Sequence, residues 1–91
     1  MSTQDQIKIL FSNFAEFLCE KNKRYGDSAL NPAMIFSNAP AEIQIRNRLD
    51  DKLNRIKNSE ELLKNDVSDV FGYVALLMIQ KGWVEFEDLL D

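Results

Sequence analysis

The chain has no histidine and a single cysteine, Cys19. Without histidine there is no His-based nucleophilic triad and no His general base, and the usual zinc sites lack their ligands. One cysteine makes no internal disulfide, so a stapled secreted scaffold is excluded and a reducing compartment fits. Cys19 borders an apolar stripe and is expected to be a buried thiol. Long apolar runs are also missing. The longest nearly apolar stretch, Val70 to Ile79, is about half the length of a spanning helix. Met1 to Lys8 shows no basic region followed by an apolar core. A cytoplasmic protein is expected. No segment reads as a persistent strand, an internal repeat or a low-complexity tract. Any catalysis would have to run on carboxylates, Lys, Tyr or a carboxylate-held metal.

What is present is one small domain, residues 1–91, with an ordinary 45% of hydrophobic residues and a formal net charge of −4. That charge is unevenly placed. Residues 1–20 carry one base against three acids, residues 21–57 eight bases against four acids, and residues 58–91 two bases against eight acids. The basic middle third is where an anionic ligand would be held. An acidic protein repels bulk duplex nucleic acid, so a small phosphorylated molecule in a local basic pocket fits better.

The expected fold is all-α: a small three- to four-helix bundle with a long loop between helices one and two. The first helix is predicted over Thr3–Glu20, with Ile7, Leu10, Phe11, Phe14 and Leu18 on one stripe and Asp5 in the first turn. Seventeen residues, Arg24 to Pro40, follow without sustained periodicity. Such long loops are often functional. Apolar Leu30, Met34, Ile35 and Phe36 suggest that this one is pinned to the core, with a helical turn around Pro32–Phe36. A second helix, near Pro40 to Lys57 and capped by Asn38, places Ile45, Leu49, Leu53 and Ile56 within about 80° of one another. Arg48, Lys52 and Arg55 line one border of that stripe. The third helix is predicted from Asn58 or Ser59 to Lys81, with Asn58 and Glu61 as a capping box, a break near Asn65, and Gly82 as terminator. It is apolar nearly all round, which points to a central position or burial in an oligomer. A short closing helix is expected over Trp83–Leu90. So small a helical core commonly gains stability by association, and a homo-oligomer is expected.

Three groups of residues stand out chemically. Asp66 and Asp69 lie on the most apolar helix and share a face with Tyr73. Buried carboxylates need cations, hydrogen bonds or a metal. One reading pairs them with Arg48, Lys52 and Arg55. The other has them hold Mg²⁺, with Asp51 as a further ligand, because Mg²⁺ takes oxygen ligands and pairs with substrate phosphates. The second group is the cationic edge itself, since arginine suits bidentate phosphate contacts. The third is Lys21, Lys23 and Arg24 leading into Tyr25-Gly26-Asp27-Ser28, where glycine permits close backbone approach. That segment also reads as a plain helix stop and Asp-Ser turn. Tyr25, Phe36 and Tyr73 are candidates to stack on a base, although aromatics in a small domain usually serve the core.

The blocks Lys21-Asn22-Lys23-Arg24-Tyr25-Gly26-Asp27-Ser28, Arg48-Leu49-Asp50-Asp51-Lys52-Leu53-Asn54-Arg55-Ile56 and Asp66-Val67-Ser68-Asp69-Val70-Phe71-Gly72-Tyr73 occur in that order. They resemble the K-N-x-x-Y-G-[DN]-S, R-L-x-D-K-x-x-R-[LI] and D-[LV]-x-x-Y motifs of the nucleotide modification associated domain family, type one. Its members are small, mostly phage and prophage proteins linked to nucleotide metabolism and modified bases. The resemblance places the motif positions on Lys21, Asn22, Tyr25, Gly26, Asp27 and Ser28, on Arg48, Asp51, Lys52 and Arg55, and on Asp66, Asp69 and Tyr73. With Arg24 added from the basic cluster, the expected nucleotide-binding set is Lys21, Asn22, Arg24, Tyr25, Gly26, Asp27, Ser28, Arg48, Lys52, Arg55 and Tyr73. More distantly, the third helix is similar to the E-x-x-D helix of MazG-type all-α nucleotide pyrophosphohydrolases, with Asp66 in place of Glu. The E-x-x-E pair those enzymes carry on the preceding helix is replaced here by Arg48, Asp51, Lys52 and Arg55.

Three functions follow as expectations. The first is a phage-type protein that holds a phosphorylated nucleotide, cyclic or signalling ones included, in a basic pocket and sequesters it, as an anti-defence protein would. The second is Mg²⁺-dependent pyrophosphohydrolysis of a nucleoside triphosphate, with Asp66 and Asp69 holding the metal and Asp51 or Glu61 as an extra ligand or base. The third is an inhibitor docking on a host protein through the acidic end that contains Glu85, Glu87, Asp88 and Asp91, although such ends usually serve solubility.

Overall fold

Ser2 and Asp5 start the first helix by a reciprocal exchange. The Ser2 hydroxyl accepts from the Asp5 N–H at 3.1 Å, and the Asp5 carboxylate accepts from the Ser2 N–H at 3.3 Å. In the computed structural model, which describes residues 1–90, this capping box opens α1 (Thr3–Arg24). The helix runs one turn beyond the predicted Glu20, so Lys21, Lys23 and Arg24 form its last turn. There they complement the helix dipole.

The connection at 25–40 holds no helix, and the turn expected around Pro32–Phe36 is a bend. Nor is it pinned through its apolar residues. Leu30 is half-buried, but Met34, Ile35 and Phe36 are exposed. A second helix, α2 (Ala41–Lys57), follows, with Pro40 rather than Asn38 at its N-cap and no side chain capping it. Asn58 is the C-cap of α2 instead of the start of the next helix; its N–H donates to the Asn54 carbonyl, and the Ser59 N–H donates to that of Ile56. The third helix, α3 (Lys64–Gln80), therefore begins six residues later than predicted and contains no break. The predicted capping box does not form, and the Ser59 hydroxyl donates instead to the Glu61 carbonyl at 2.7 Å. Gly82, at φ +77°, terminates the helix as expected. Its N–H donates to the Ile79 carbonyl, and the Trp83 N–H donates to that of Met78. The closing helix is reduced to a 3₁₀ turn, Glu87–Leu89. Trp83, Phe86, Leu89 and Leu90 are exposed rather than packed, and Asp91 lies outside the described residues.

The three helices make an all-α fold in which α2 and α3 form an antiparallel hairpin. Ion pairs tie it at both ends: Lys81 to Glu42 at 3.0 Å, and Arg55 to Asp66 at 3.8 Å. α1 meets α3 through aromatic contacts. Phe14 stacks on Phe71 at 4.3 Å between ring centroids, and Phe11 meets the edge of Phe71 at 5.5 Å. Gly72 allows this approach, because a β-carbon there would lie 3.3 Å from Leu18 Cδ1.

Burial is sparse. Among the described residues only Ala41 and Ile45 are buried hydrophobics, and Ile45 alone is a large side chain fully out of water. Of the predicted α2 stripe, Leu49 and Ile56 are half-buried while Leu53 is exposed. Cys19 is exposed, not buried, because it points away from the Phe14–Leu18 line that meets α3. The radius of gyration is 14.9 Å, against about 12 Å for a compact chain of this length. No helix among the described residues is long and apolar enough to cross a membrane.

Candidate functional site: a basic cavity between three helices

One stripe from each helix faces a common cavity of about 520 Å³. From α1 come Phe14, Phe17, Leu18, Lys21, Asn22 and, just past the helix, Tyr25. From α3 come Asn65, Ser68, Asp69, Gly72, Tyr73 and Leu76. Both sets run at spacings of three and four, the period of a single helix face. α2 adds Gln44, Ile45, Arg48 and Lys52, and the loop adds Ser28 and Ala29. The size falls within the range of about 300–1,000 Å³ typical of small-molecule sites.

Asp69 organises the charge. Its side chain is 14% exposed and receives Lys52 Nζ at 3.2 Å on Oδ2 and Lys21 Nζ at 3.5 Å on Oδ1. Lys21 also sits over the Phe17 ring, 5.3 Å from its centroid. One carboxylate thus holds two ammonium groups from different helices at the cavity wall. Arg48 joins them from α2 and takes part in no ion pair among the described residues. Its guanidinium donors are the ones left for an anion. Three cations against one carboxylate leave the cavity electropositive in a chain that is acidic overall.

The turn after α1 is built by Asp27 and Gly26, at φ 57° and 61°. Asp27 takes the left-handed conformation that glycine usually supplies, and its carboxylate accepts from Asn22 Nδ2 at 2.9 Å and Asn31 Nδ2 at 2.6 Å. This clip fixes the chain so that Tyr25 and Ser28 reach the cavity. Gly26 and Asp27 therefore shape the site without lining it.

Of the residues expected to contact a nucleotide, Lys21, Asn22, Tyr25, Ser28, Arg48, Lys52 and Tyr73 come together in the cavity. Arg24 and Arg55 do not. Arg24 turns back onto Glu20 at 3.0 Å, and Arg55 lies at the closed end of the hairpin against Asp66. Phe36 is fully exposed and does not reach the cavity. Asp66 is buried in the first turn of α3 but does not line the cavity either. The acids of α3 are thus engaged by Lys52 and Arg55, as the ion-pair reading expects, and by Lys21, which it does not name, while Arg48 is left out. The three-acid set of Asp51, Asp66 and Asp69 is not assembled. No group of three or more His, Cys, Asp or Glu able to hold a metal occurs among the described residues. Gln44, Asn65, Ser68 and Gly72 were missed by motif reading. Their signal was the helical register itself, since Asn65 and Ser68 precede Asp69 and Gly72 by four.

Comparison with family models, curated proteins and solved structures found no match to this chain.

Proposed function

We propose that this protein binds a small phosphorylated nucleotide in the cavity between α1, α2 and α3. The observation that carries the reading is the convergence of Lys21, Arg48 and Lys52 with Tyr25 and Tyr73 on one cavity of ligand size. Arg48 is the primary phosphate contact, because its planar donors are free for a bidentate anion. Lys21 and Lys52, already positioned by Asp69, add charge on either side. Tyr25 and Tyr73 supply faces for a base, while Asn22, Ser28 and Ser68 offer hydrogen bonds to sugar or base edges. The order of the three sequence blocks supports the same ligand class, because the motif residues that resemble the nucleotide modification family are largely those that converge. Binding and sequestration fit better than hydrolysis, since both acids of α3 are answered by cations rather than grouped with further carboxylates.

Titration calorimetry with mono-, di-, tri- and cyclic nucleotides tests this. Saturable binding is expected, and Arg48→Ala is expected to weaken it by about tenfold or more. That corresponds to losing roughly 1.5–3 kcal/mol of charge-assisted hydrogen bonding, with the circular dichroism unchanged. Absence of binding across the whole panel by the folded protein overturns the reading.

A further inference from the structure

A folded monomer of this mass exposes about 5,400 Å², whereas this chain exposes 7606 Å². The excess, about 2,200 Å² per chain, matches what each partner gives up in large obligate interfaces, which bury about 2,000–5,000 Å² in total. Part of that excess is concentrated in an apolar groove framed by α1 and residues 62–71, with walls formed by Leu10, Phe14, Phe17, Leu63, Val67 and Phe71. Leu10 is 53% exposed, Phe17 and Leu63 are each 47% exposed, and Val67 is 42% exposed. Ile7 and Phe11, at 51% and 55%, continue the same face of α1. These are large side chains, spaced as core residues are, with no core over them.

We propose that a second copy of this chain seats on this groove and completes the hydrophobic core. Lys64 is the one charged residue on the groove's walls. Two identical faces can therefore meet apolar to apolar without setting rows of like charge against each other, as a self-complementary two-fold interface requires. A strongly charged partner would find nothing there to pair with. Phe14, Phe17 and Ser68 belong both to this groove and to the basic cavity. The second copy thus backs the apolar wall of the cavity and leaves the end with Lys21, Arg48 and Lys52 open.

Sedimentation equilibrium on the ligand-free 91-residue chain tests the proposal without reference to any nucleotide. The expected mass is at least twice the 10.5 kDa of one chain. The melting temperature should rise by several degrees across a hundredfold increase in concentration, as association linked to folding demands. The face is identified by bismaleimide cross-linking in a Cys19→Ser background. Leu63→Cys should give covalent dimers, and Asp50→Cys, on the exposed side of α2, should not. Val67→Arg should shift the mass to that of one chain or abolish folding. A cooperatively folded monomer with a concentration-independent melt overturns the proposal. So does cross-linking through Asp50→Cys but not Leu63→Cys, or folding that requires a different protein.

Discussion

Lys52 Nζ lies 3.2 Å from Asp69 Oδ2, joining the middle of α2 to the middle of α3 on the cavity wall. The other Asp69 oxygen faces Lys21 of α1, at 3.5 Å. One half-buried carboxylate is therefore the ionic link common to all three helices. Asp69→Asn keeps the shape but removes the charge that two ammonium groups answer. It is expected to cost about 1.5–3 kcal/mol, the range for hydrogen bonds to charged groups. Lys21→Ala removes the longer and more exposed arm, and should cost no more than about 1 kcal/mol. Urea denaturation of the two variants checks the order, and a larger loss for Lys21→Ala would be inconsistent with this geometry.

The pairing of those residues was legible before the structure only in part. Asp66, Asp69 and the cationic edge of α2 were visible as a helical register, because spacings of three and four put side chains on one face whatever the tertiary fold. Which cation meets which acid depends on helix crossing and end positions, which periodicity does not encode. Arg55 and Lys52 lie three apart on the same edge, yet one closes the hairpin and the other enters the cavity. The end of α1 was misplaced for a related reason: a Lys-rich turn reads equally well as a helix's last turn or as the residues after it. The α3 start was lost because Asn58 caps equally well at either kind of helix end, and here it closes α2. Aromatic and aliphatic residues at 34–36 and 83–90 resembled core by composition. They lie in a helix-free connection and in a tail whose one element is a single 3₁₀ turn, too short to carry them inward.

Asp27 offers a second test, at the turn that delivers Tyr25 and Ser28. Its left-handed backbone costs most residues about 1–2 kcal/mol, and its carboxylate offsets this by accepting from Asn22 and Asn31. Asp27→Ala loses both hydrogen bonds and keeps the unfavourable φ, so a destabilisation of about 1–3 kcal/mol is expected. Asp27→Asn tolerates the same φ and retains one acceptor, so it should fall between wild type and alanine. Nucleotide affinity should follow the same order, because the turn rather than the carboxylate forms the cavity rim. Thermal melts and calorimetry on both variants check this. A weaker binder with unchanged stability would place the Asp27 carboxylate in direct contact with ligand instead.

Gly72 separates packing from binding. It lies inside α3, where glycine costs about 0.8–1 kcal/mol relative to alanine, and it is buried against Leu18 and Phe14 while also lining the cavity. A β-carbon would meet Leu18 Cδ1 at 3.3 Å and Phe14 Cζ at 3.8 Å. Leu18 Cδ1 ends a rotatable side chain, so a few tenths of an ångström of movement relieves the contact. The helix gain and the packing loss then oppose one another, and Gly72→Ala should stay within about 1 kcal/mol of wild type. Gly72→Leu has no such escape. Its branched end must either push α1 off α3 or turn into the cavity. The first route costs about 1–3 kcal/mol of overpacking, and the second fills the space a ligand would occupy. Loss of nucleotide binding is expected by either route, with stability reporting which one is taken. Retention of full affinity by a stably folded Gly72→Leu would move the ligand out of this cavity altogether.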